Sequence, residues 1–94
     1  MDDYRVVFSG LLKQEVVKLG ASARLEGRLK EAQAAMRKLI QDLEANPNSV
    51  GELLYHTKHS GWPVFHAVRS PWSIHFILND DRRLVILTRV AMMA

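Results

Sequence analysis

The chain has 94 residues, 48% of them hydrophobic and 24% charged, with a formal charge of +3 and no cysteine. That is one globular domain with one modest core, neither disordered nor multidomain. The lack of cysteine excludes disulfides and thiolate metal sites, and no apolar run approaches the roughly 18–20 residues that span a bilayer.

In chain order, Met1-Asp2-Asp3-Tyr4 is acidic and lacks the basic and apolar regions of a signal peptide, so a cytoplasmic protein without membrane contact is expected. Tyr4-Arg5-Val6-Val7-Phe8 is a run of β-branched and aromatic residues and predicts a strand. Ser9 can cap a helix over Leu11–Leu19, where Leu12, Val16 and Leu19 recur at helical spacing. Gly20 is expected to stop it. Ser22 is expected to open a second helix that runs to about Ala45. Its apolar positions Leu25, Leu29, Ala32, Met36, Leu39 and Leu43 are separated by steps of 4, 3, 4, 3 and 4, which puts one stripe on the core. Ile40 widens that stripe, and Asn46-Pro47-Asn48-Ser49 ends the helix.

The second half changes period. Val50–Tyr55 reads equally as an extended lead-in or as a turn of helix. Val64–Arg69 reads as a strand and Ser70-Pro71 as a tight turn. In Trp72–Leu78 the large residues Trp72, Ile74, Phe76 and Leu78 alternate with Ser73, His75 and Ile77, the period of a strand with one buried face. Asn79-Asp80-Asp81-Arg82 turns the chain, and Leu84–Val90 is a last strand. Short connections between these strands imply an antiparallel meander. The expected fold is one α+β domain over residues 1–94, ordered β-α-α-β-β-β. The helical hairpin covers one face of the sheet, the other face stays open, and the first strand returns to the sheet's edge.

That open face is where chemistry would sit. Ser73 and His75 point to it, with His66 and Arg69 on the preceding strand and Arg89 on the last. From Lys58 to Val90 there are five Lys/Arg (Lys58, Arg69, Arg82, Arg83, Arg89) against two Asp, and three of the four histidines. Such a surface suits an RNA backbone. Cations neutralise phosphates, a guanidinium stabilises charge developing at phosphorus, and an imidazole moves a proton. The catalytic candidates are His66, Arg69, His75 and Arg89. The RNA-binding candidates are His56, Lys58, His59, Arg82 and Arg83. Each also has a structural reading: half-exposed sheet histidines, a solvated Arg69, an Arg89 paired with Asp80 or Asp81. His56 and His59 lie three apart, which suits a metal only on a helix, and no further ligand pattern accompanies them. No metal and no cofactor is expected. There is no glycine-rich phosphate loop and no nucleophile elbow.

The opening Tyr4–Ser9 running to Lys18-Leu19-Gly20 resembles the first strand and helix of RelE/ParE toxins. Asn46-Pro47 through Gly51, Gly61, Val64–Arg69, Trp72–Leu78, Asn79-Asp80-Asp81 and Leu84–Val90 is similar to the rest of that fold. The resemblance covers nearly the whole chain. It implies a toxin of a type II toxin–antitoxin system, held by a cognate antitoxin. The RelE branch cleaves mRNA on the ribosome; the ParE branch inhibits DNA gyrase without catalysis. The family's aromatic positions match Trp72 and Phe76, its central arginine position is Ser73 here, and its basic positions on the preceding strand fall near His66 or Arg69. Its C-terminal Tyr or His has no counterpart in Val90-Ala91-Met92-Met93-Ala94. The resemblance thus leaves three readings: ribosome-dependent mRNA cleavage, gyrase inhibition, or an interaction-only member of the fold.

Overall fold

The computed structural model describes residues 3–25 and 27–93, and the side chains of residues 22–25 lie outside the description. The elements are β1 (Arg5–Phe8), α1 (Leu12–Leu25), α2 (Leu29–Ala45), a short 3-10 turn (Pro47–Ser49), β2 (Glu52–His56), β3 (Pro63–Arg69), β4 (Trp72–Asn79) and β5 (Leu84–Met92). They form an α+β fold: two helices on one side of a five-stranded sheet of order β1-β5-β4-β3-β2. The last four strands are an antiparallel meander. β1 returns to the sheet's edge and runs parallel to β5, Val6 beside Val85 and Phe8 beside Leu87.

Two boundaries differ from the sequence expectation. Gly20 does not stop the first helix, which continues to Leu25, so Ser22 lies inside α1 rather than opening the second helix. The chain turns around Gly27 instead, whose φ of +75° is the left-handed conformation that a side chain resists. Gly20 is tolerated mid-helix at a modest cost in propensity. The second difference is an added strand. The segment open to two readings is extended, and Glu52–His56 pairs with β3 as the sheet's outer edge.

The alternation of β4 divides the sheet as expected. Trp72, Ile74, Phe76 and Leu78 are buried beneath the helices with Ala32, Leu39 and Leu43 of α2 and Val85, Leu87 and Val90 of β5. Phe65 stacks on Phe76 with ring centroids 5.2 Å apart. The Trp72 indole Nε1 donates to the Ala32 carbonyl at 2.7 Å, which satisfies its one polar atom inside the core and ties β4 to α2. The Ser70-Pro71 peptide bond between β3 and β4 is cis. Tyr4 closes the far end of the sheet: its amide donates to the Glu44 carbonyl, its hydroxyl donates to Asp80, and the Arg83 guanidinium lies 5.0 Å from its ring centroid. Among the described residues no helix is long and apolar enough to cross a membrane.

Candidate functional site

Register places the residues of the open face in rows. Val7, Ile86, Ile77, Val64 and Tyr55 form an apolar row that crosses all five strands. The next row is polar. Arg89 on β5 stands opposite His75 on β4, His75 opposite His66 on β3, and His66 opposite Glu52 on β2. Ser73 lies one step further along β4, opposite Ala91 and Val68.

Arg89 reaches this row because of a bulge. Strict alternation from Val85 and Leu87 would turn Arg89 toward the helices. The β4–β5 register shifts between His75 and Phe76, pairing Phe76 with Leu87 and His75 with Arg89, so that Thr88 is the extra residue. A bulge of this kind re-aims the side chains beyond it. The Thr88 hydroxyl donates to the His75 carbonyl at 3.4 Å, and Val90 returns to the core. The spacing Val85, Leu87, Val90 is the sequence trace of that bulge.

The two histidines meet edge to face, ring centroids 5.3 Å apart and planes at 84°. A hydrogen bond of 3.0 Å joins His66 Nε2 and Ser73 Oγ and fixes the His66 ring. His75 titrates below the ordinary histidine range. Burial is the main cause, and the charges of His66 and Arg89 add to it. A histidine so placed is neutral near pH 7 and can accept a proton. The row therefore unites a proton acceptor, a second imidazole and a guanidinium, the minimum for proton transfer beside a phosphate.

The other candidates are placed as follows. Arg69 is not in this row. It pairs with Trp72, whose side chain is on the helix side, and its Nη1 donates to the Val68 carbonyl at 2.9 Å. Arg82 and Arg83 belong to the turn between β4 and β5, roughly 14 Å from His75 by strand rise; Arg83 is engaged with Tyr4. His56 ends β2, and Lys58 and His59 are exposed in the following loop. That loop and the β4–β5 turn share one end of the sheet, so His56, Lys58, His59, Arg82 and Arg83 gather at the hairpin tips, apart from Arg89 in the histidine row and from Arg69 on the helix side. Among the described residues no three His, Asp or Glu side chains converge as a metal site.

Sequence reasoning missed two residues of this surface. Tyr55 is 57% exposed on the outer strand and Trp62 is 36% exposed at the entry to β3. Their signal was the uncertain strand itself: without β2 placed, neither ring had a neighbourhood. The structure also has a groove of about 710 Å³ between α1 and α2, lined by Val16, Gly20, Met36, Ile40, Arg37 and Trp72 among others. It is mainly apolar, holds no acid–base pair, and lies across the sheet from the histidines. Comparison with protein-family models, with curated proteins and with solved structures gives no match for this chain.

Proposed function

We propose that the chain is a toxin of RelE type that arrests growth by cleaving mRNA on the ribosome, held in check by a cognate antitoxin protein. The observation that carries the reading is the row Arg89–His75–His66 on the open face, with His75 kept neutral. The reaction needs no cofactor. His75 removes the proton from a ribose 2′-hydroxyl, and the 2′-oxygen attacks the adjacent phosphorus. Negative charge grows on the phosphoryl oxygens, and Arg89 offsets it. The bond to the 5′-oxygen breaks, and that oxygen takes a proton from His66, whose ring is set by Ser73. The products are a 2′,3′-cyclic phosphate and a 5′-hydroxyl.

Induced expression with primer extension on translated mRNA tests this. New cleavage ends are expected from the unaltered chain. With His75→Gln they should fall by roughly 10²–10⁴-fold, the usual worth of a general acid or base. No new ends, or unchanged cleavage by the variant, sinks the reading. Growth arrest with gyrase-dependent DNA damage instead would move the protein to the ParE-like alternative.

A further inference from the structure

The β2–β3 loop is built more firmly than an idle connection requires. The Thr57 amide donates to the Trp62 carbonyl at 2.9 Å, the Gly61 amide to the Thr57 carbonyl at 2.9 Å, and the Trp62 amide to Thr57 Oγ1 at 3.1 Å. The Thr57 and Ser60 hydroxyls are also hydrogen-bonded to each other. Gly61, with φ of +70°, supplies the left-handed residue that the closure needs. This frame holds Lys58 and His59 out in solvent and fixes where Trp62 leaves the loop. Tyr55 stands just before it on β2, opposite Val64. By strand spacing and rise, its Cα lies about 8 Å from that of His66.

Two exposed aromatic rings beside a preorganised basic loop, next to a row suited to a phosphodiester, form one continuous surface. The sheet does not need these rings for its core, because neither Tyr55 nor Trp62 packs into the buried cluster. We infer that Tyr55 and Trp62 are a stacking platform for unpaired bases of single-stranded RNA, with Lys58 on the backbone between them. Aromatic faces beside cations hold single strands in this way, since every base has a face to stack and the phosphates need neutralising. A duplex, whose bases are already stacked, gains nothing from the rings. The inference rests on the RNA reading of the histidine row and adds the subsite that holds the strand beside the cleaved bond.

Trp62 also supplies the measurement. The other tryptophan, Trp72, is 3% exposed in the core, so a ligand on the open face should act on Trp62 emission alone. The probe is an eight-residue single-stranded oligoribonucleotide, 2′-O-methylated so that it cannot be cleaved. The full chain should show saturable quenching, and Trp62→Phe, which keeps a ring, should bind by anisotropy of a labelled probe but lose the quenching. Tyr55→Leu keeps apolar bulk on the strand without the ring, and should weaken binding about tenfold, the size of one base–aromatic stack. A blunt duplex of the same sequence should bind more weakly than the single strand. Binding unchanged in Tyr55→Leu, equal binding of the duplex, or no binding of the single strand each overturns the inference; the last two would leave the aromatic edge to a protein partner. Because the probe cannot be cut, a platform that binds while His75→Gln cleaves normally would refute the catalytic reading and leave the platform standing.

Discussion

The helix-covered side of the sheet and its open side are made by the same strands, yet they are organised on different terms. On the covered side, Ile74, Phe76, Val85 and Leu87 have no exposed surface, and the Trp72 indole nitrogen among them has a partner. On the open side, Ser73, His75 and Ile77 are half-buried and the polar groups mostly face one another. One side is held by area removed from water, which is indifferent to pH. The other carries, beside its apolar row, titratable groups whose charge shifts with it. Stability and chemistry are therefore separable by single substitutions one residue apart along β4.

The largest effect should come from the covered side. Phe76→Ala removes a fully buried ring and its stack on Phe65. It should cost about 3–5 kcal/mol in a chemical denaturation series, a large share of the 5–15 kcal/mol typical of a domain. A loss below about 1 kcal/mol would show that this side is not the organising core.

A smaller effect should link the two sides. A Cβ at Gly51 would lie 2.5 Å from the His66 carbonyl oxygen, so Gly51→Ala must push β3 aside. Overpacking of this kind costs about 1–3 kcal/mol, and the displaced strand carries His66. The variant should lose cleavage out of proportion to its loss of stability, measured on a sample confirmed to be folded. Full activity in a destabilised variant would show that the position of His66 is unimportant.

The smallest effect is the pH dependence of the open side. His75 titrates lower in the folded chain than in the unfolded one, where the ordinary value is about 6.5. Below that value the unfolded chain binds a proton that the folded chain resists. The stability contribution is thus complete above about pH 6.5 and is lost as pH falls toward the folded value. His75→Gln should flatten this part of the stability–pH profile. An unchanged slope would assign it to other groups.

Much of the covered side could be read directly from the residues. The alternation Trp72, Ile74, Phe76, Leu78 marks both the strand and its buried face, because a half-buried strand leaves a period of two. Leu39 and Leu43 mark the core stripe of α2 in the same way, at the helical period. Boundaries were less legible where two residues compete for one role. Gly20 and Gly27 both permit a break, and the chain takes the later one, where Gly27 adopts a φ of +75°. The open side depended on register, which a single strand's pattern does not contain. Arg69 sits beside the right residues in sequence but turns to the other face, while Arg89 joins the site through one extra residue in β5. His66 and His75 are nine positions apart in sequence and direct neighbours in space. That proximity follows from the length of the hairpin between them, and neither histidine announces it alone.

The parallel pairing of β1 with β5 has a consequence for the order of assembly. Tyr4 and Asp80, hydrogen-bonded in the finished sheet, are 76 positions apart, so β1 meets its partners only across most of the described sequence. The meander can form from neighbours, each hairpin closing a short loop, whereas the edge formed by β1 requires the longest closure in the molecule. Arg89 arrives on that same final strand. Its row with His75 and His66 nevertheless lies wholly within the meander, so the three side chains can meet through short loop closures before β1 takes the sheet's edge.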